Sequence, residues 1–97
     1  MKVFLDDLRP APKNWALVAW PDEVIKLLKT NKVEELSLDH DLGDDDRGTG
    51  YDVLLWIEEA VVVGGFIPPK RIIVHSANVS ARQKMEAAIQ SIKRFCP

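Results

Sequence analysis

Apolar residues recur along this chain in two rhythms: runs of three or four bounded by polar turns, and longer stretches spaced three and four apart. The short runs Val3-Phe4-Leu5, Leu36-Ser37-Leu38 and Ile72-Ile73-Val74 read as buried strands. They predict strands over residues 2–7, 35–39 and 71–75, with a further short strand over 15–19. Pro10 and Pro12 bar a helix from the segment between the first two strands. A helix is expected from Pro21, a favoured first-turn residue. Asp22 and Glu23 complement its N-terminus, and Val24, Ile25, Leu27 and Leu28 form its buried face.

A second helix is expected from Thr49, which stands at capping-box spacing from Asp52, to about Val63, where Gly64-Gly65 stops it. Pro68-Pro69 leads into the last strand, and Ser76-Ala77-Asn78 forms the loop after it. Ser80 and Gln83 then read as a capping box, with Met85, Ala88, Ile89, Ile92 and Phe95 as the core stripe of a third helix. Strands alternating with helices predict a three-layer α/β domain with a small, mostly parallel sheet of about four strands. About three helices are expected to cover both of its faces.

Ninety-seven residues allow one domain, residues 1–97. A chain of this size buries only about 60–65% of its unfolded surface, so no second core is expected. Composition is that of an ordinary globular protein, 46% apolar and 29% charged. No apolar run approaches membrane-spanning length, and the start lacks a signal-peptide pattern, so a cytoplasmic protein is expected. The single cysteine, Cys96, rules out an intramolecular disulfide or a cysteine-based metal site. Net charge is −2 but uneven: residues 22–59 hold twelve acids and four bases, residues 60–97 six bases and one acid. The bases Lys70, Arg71, Arg82, Lys84, Lys93 and Arg94 could form one face that attracts a phosphate-bearing ligand, but their loose spacing favours solvated surface positions, and no DNA-binding motif is present.

The candidate chemistry collects at strand ends. Asp6 and Asp7 close the first strand, Asp39 and Asp41 lie at and just past the end of the third, and His75 closes the fourth. In an open α/β sheet, ligands bind in the crevice outside the carboxyl ends of the strands. Two ionised carboxylates about 4 Å apart repel by roughly 4 kcal/mol at an effective dielectric of 20, so a cluster of acids there needs a cation, a shared proton or an Arg. Oxygen ligands without thiolate favour a hard divalent cation, with Mg²⁺ or Mn²⁺ expected on Asp6, Asp7, Asp39 and Asp41. His40 and His75 are candidate acid–base groups, and Ser76 a candidate nucleophile or phosphate contact. Arg9, Asn78 and Arg82 are candidate phosphate-binding residues. Asp44-Asp45-Asp46 lacks EF-hand spacing and reads as a solvated turn.

Four strings carry a family resemblance spanning nearly the whole chain: Phe4-Leu5-Asp6-Asp7-Leu8-Arg9-Pro10, Leu38-Asp39-His40-Asp41-Leu42-Gly43, Thr49-Gly50-Tyr51-Asp52 and Val74-His75-Ser76-Ala77-Asn78. The acid pair and the later Asp resemble the receiver domain of bacterial response regulators, with Ser76 where receivers carry Ser or Thr. The chain is more similar to a compact offshoot, the cyclic-phosphate processing receiver-like domain. That resemblance implies a receiver-like (flavodoxin-like) fold and a cyclic phosphate on a nucleotide or RNA end as substrate. It implies a metal-dependent phosphoesterase in which Asp6, Asp7 and Asp39 hold the cation, His40 or His75 moves the proton, and Ser76 and Arg9 hold phosphate oxygens. A non-catalytic module that binds a metal, phosphate or cyclic nucleotide is the alternative. A phosphoacceptor using Asp39 is disfavoured, because the third helix takes the place where receivers carry a late strand and its Lys.

Overall fold

A computed structural model describes residues 1–96. In chain order it contains β1 (Lys2–Leu5), β2 (Ala16–Val18), α1 (Pro21–Leu28), β3 (Glu35–Leu38), α2 (Gly50–Gly64), β4 (Arg71–Val74) and α3 (Val79–Arg94). Every expected element is present. The four strands form one parallel sheet in the order β2-β1-β3-β4, so β2 runs parallel to β1. Four parallel strands and three helices make a receiver-like α/β fold.

The strands lie in strict register, Leu5 beside Leu38 and Leu38 beside Val74. Because side chains alternate across a strand, Val3, Leu5, Leu36, Leu38, Ile72 and Val74 share one face. Their partners come from all three helices: Val24 and Leu28 of α1, Val53, Leu54, Ile57 and Val61 of α2, and Met85, Ala88, Ile89 and Ile92 of α3. The helices therefore stand on one face, with α2 packed between α1 and α3, which corrects the expectation that they cover both. Right-handed crossovers explain this. The connections β2-α1-β3 and β3-α2-β4 step across the sheet in the same direction, whereas β1 to β2 steps the other way. Only that last connection crosses the opposite face. There Trp15 meets Phe4 edge-on, ring centroids 6.3 Å apart, and Lys2 Nζ lies over the Trp15 ring.

Helix ends follow the expected chemistry at α2 and depart from it at α3. Asp52 Oδ2 accepts the Thr49 N–H at 2.8 Å, and Gly65 takes the left-handed φ of 67° that ends α2. The box predicted from Ser80 and Gln83 is not used. Asn78 Oδ1 accepts the Ala81 N–H at 3.1 Å, so α3 starts at Val79 and Ser80 lies inside its first turn. Phe95, expected in the core stripe, falls just past the helix and is exposed. No described helix is long and apolar enough to cross a membrane.

Candidate metal and phosphate site at the strand ends

Register carries the strand geometry one residue further. The Asp6 N–H donates to the Val18 carbonyl, Asp39 N–H to Leu5, and His75 N–H to Leu38, all at 3.0–3.1 Å. Asp6, Asp39 and His75 thus form a row across the sheet, one step beyond Leu5, Leu38 and Val74. By alternation this row belongs to the face away from the helices. Phe4, Ser37 and Ile73 make the next row, and Lys2, Glu35 and Arg71 the third. In the third row Glu35 pairs with Lys2 at 3.2 Å and with Arg71 at 3.4 Å.

Asp6, Asp39 and His75 each offer a ligand atom, and the three atoms lie within 4.8 Å of one another. Ligands of one Mg²⁺ at about 2.1 Å stand at most about 4.2 Å apart, so small side-chain shifts would bring the three atoms to the spacing a cation requires. His75 leans across β3 from the edge of the sheet. Its Nε2 meets Asp6 Oδ2 at 3.0 Å, its Nδ1 meets Ser37 Oγ at 2.7 Å, and its ring stacks on Phe4 with centroids 4.2 Å apart.

The two acids of the cluster are tuned in opposite directions. Burial works against ionisation of Asp6, but the backbone N–H groups of Arg9 and Leu8 and the His75 ring outweigh it, and its pKa lies below the usual carboxylate value. Asp39 is raised, first by burial and then by the charges of Asp6 and Asp7, against the relief supplied by the His40 N–H and by His75. A positive charge placed beside this group would relieve the repulsion among the three carboxylates.

The remaining candidates are spread around this row. Asp7 is exposed, with a carboxylate oxygen only 3.5 Å from where a Cβ on Gly43 would stand; it lies outside the three-residue ligand group. Asp41 also lies outside it. Its carboxylate accepts from His40 Nδ1 at 2.8 Å and from Asn78 Nδ2 at 3.4 Å, and the His40 bond leads in holding its pKa low. Of the four acids expected to hold a cation, the fold brings Asp6 and Asp39 together and adds His75 to them, while the Asp7 and Asp41 carboxylates stand outside that group.

His40 stands beside the cluster, its backbone N–H bonded to Asp39 Oδ1 at 2.8 Å. Arg9 Nη1 donates to the His75 carbonyl at 3.0 Å, tying the β1–β2 connection over the site. Ser76 is buried, and its Oγ accepts the Asn78 N–H at 3.1 Å, which shapes the loop after β4. Arg82 pairs with Glu86 one helical turn on, at 3.3 Å on the exposed side of α3. Arg71 and Lys84 also have partners elsewhere, Glu35 and the Tyr51 ring. Among Asp44, Asp45 and Asp46, Asp44 Oδ1 accepts the Asp46 N–H in an exposed turn.

Three residues that build the site were not singled out from the sequence. Ser37, the one polar residue inside the Leu36-Ser37-Leu38 run, was the available signal for His75's partner. Phe4 gave none, since it reads as ordinary strand core. Gly50 is required by packing: a Cβ there would stand 1.8 Å from the Asp39 carbonyl oxygen, so only glycine lets the start of α2 close against the β3 end. The Gly50 N–H also donates to the His40 carbonyl, fixing the 40–49 loop at its base.

The model of the cyclic-phosphate processing receiver domain family matches residues 1–91 of the chain. Comparison with curated proteins and with solved structures gave no match. Taken with four parallel strands whose ends bring two acids and a histidine together, the match shows that this chain belongs to the cyclic-phosphate processing receiver domain family.

Proposed function

We propose that this protein is a metal-dependent phosphoesterase that opens a cyclic phosphate on a nucleotide or RNA end. The observation that carries the reading is the approach of Asp6, Asp39 and His75 to within 4.8 Å, in a chain of this family. Asp6, Asp39 and His75 would hold Mg²⁺ or Mn²⁺, which when bound polarises a phosphoryl oxygen and acidifies water. Opening the ring forms one P–O bond from water and breaks one to a ribose oxygen. The water loses a proton and the leaving oxygen gains one. His40 suits that transfer: Asp41 orients its ring through Nδ1, and its Nε2 has no hydrogen-bond partner among the described residues. Arg9 spends one donor on His75 and keeps others for phosphate oxygens. Asn78 holds Asp41 in place and caps α3.

The test is hydrolysis of 2′,3′- and 3′,5′-cyclic nucleotides and of an RNA ending in a cyclic phosphate, with Mg²⁺, with Mn²⁺ and with chelator. Turnover that needs the cation is expected. Asp39→Asn should lower it by more than about 10²-fold, the usual scale for removing one electrostatic group from a reaction centre. Undiminished turnover in Asp39→Asn would sink the assignment. A folded protein that retains a cyclic nucleotide without cleaving it would instead be a binding module.

A further inference from the structure

His75 is held by more than a metal ligand needs. Its ring stacks parallel to Phe4, within 4° of coplanar orientation, while Nε2 faces Asp6 at 3.0 Å and Nδ1 faces Ser37 Oγ at 2.7 Å. Ser37 is 2% exposed, so its hydroxyl has little access to water as a partner in place of Nδ1. The identity of each partner dictates where the ring proton resides. An ionised carboxylate only accepts, so Nε2 must carry the hydrogen that bonds Asp6. In the neutral ring Nδ1 is then an acceptor, and the Ser37 hydroxyl donates to it.

A cation taken at Nε2 reverses both bonds. Nε2 must give up its hydrogen to offer a lone pair, and the neutral ring then carries its hydrogen on Nδ1. One proton leaves Nε2 and one arrives at Nδ1, so the ring stays neutral. Nδ1–H now needs an acceptor where it previously needed a donor. A hydroxyl serves both states, because its hydrogen rotates and its oxygen also accepts. A carbonyl or carboxylate at this position would serve only the second state, and an alkyl group neither.

From this geometry we infer that Ser37 is the positioning residue that lets His75 exchange its Asp6 hydrogen bond for a metal bond, by partnering Nδ1 in both ring tautomers. This rests on the metal reading of the site, and extends it to a residue that touches neither metal nor substrate. Partners of a ligating imidazole commonly control metal affinity by about 10–100-fold.

The experiment uses Zn²⁺ as a diamagnetic probe on the whole ¹⁵N-labelled chain. The chain has two histidines, and His40→Gln separates their ring signals. Metal-free His75 is expected as the Nε2–H tautomer, turning to Nδ1–H as Zn²⁺ is added. Ser37→Ala should weaken Zn²⁺ binding by about 10–100-fold, and Ser37→Thr should recover most of the loss. A metal-free ring already protonated at Nδ1 overturns the inference using the unaltered protein alone, so the result does not hang on whether Ser37→Ala folds. So does an unchanged Zn²⁺ affinity in folded Ser37→Ala, or a wild-type chain that binds no Zn²⁺. Failure of the proposed activity looks different: the tautomer switch and the Ser37 dependence would be present while no cyclic phosphate is cleaved.

Discussion

Asp6 and Asp39 face one another at the head of the sheet with opposite ionisation preferences, and that contrast makes the site testable by pH. For Asp6, a folded pKa below the ordinary 3.8 means its contribution to stability is present above that value and is lost as pH falls through the folded pKa. Asp6→Asn should therefore lower stability at neutral pH and flatten the acid limb of the unfolding curve below pH 3.8, as read by denaturant midpoints across pH. For Asp39 the sign reverses. Its folded pKa lies above 3.8, so the protonated form favours the native state, and that advantage is lost as pH rises through the folded pKa. Metal-free Asp39→Asn should then melt higher than wild type at pH 7, and the difference should vanish on acidification below 3.8. A variant that is more stable yet inactive separates a functional acid from a structural one. Residue types at the strand ends announced these acids, but their unequal ionisation could not be read from sequence. It depends on burial and on N–H groups of Arg9, Leu8 and His40 that only the folded backbone supplies.

At the scale of elements, the site depends on how α2 and α3 begin. Gly50 admits α2 to the Asp39 carbonyl, where a methyl group would overlap backbone. Gly50→Ala should therefore cost about 1–3 kcal/mol, the usual range for forcing extra volume into a packed position. It should also weaken cation binding, because the displaced strand end carries Asp39; denaturant unfolding and calorimetry check the two effects. Asn78 does double duty, capping α3 through Oδ1 and holding Asp41 through Nδ2. Asn78→Ala should lose about 1 kcal/mol of cap energy, whereas Asn78→Asp should keep the cap and set a carboxylate against Asp41. A drop in turnover for both variants, with stability lost mainly in Asn78→Ala, would assign the catalytic effect to the Asp41–His40 pair. The capping box at Thr49–Asp52 was legible because both residues lie within one turn. The competing cap at Asn78 was not, since Ser80–Gln83 satisfies the same pattern and only the path of the loop after β4 chooses between them.

For the molecule as a whole, a small core and an acidic head predict stabilisation by ligand. A cation that binds only the folded state at 100 times its Kd adds about 2.7 kcal/mol, and a domain of this size gains roughly 4–8 °C in Tm per kcal/mol. Mg²⁺ or Mn²⁺ at such an excess should thus raise Tm by more than about 10 °C, reversed by chelator and absent in Asp39→Asn. No shift with either ion would remove the metal from the reading. Periodicity, caps and turn residues are local properties of the chain, so the elements, their order and the polar residues that end each strand were legible before any folding was considered. The sequence also supplied the motifs that resemble the family. Folding was needed to place the helices on one face and to bring Asp6, Asp39 and His75 together while Asp7 and Asp41 stand aside. It also set Ser37 behind His75. Those choices follow from strand register and crossover direction, which are set between segments 30 and more residues apart, and a single row of side chains across three strands exists only once that pairing is made.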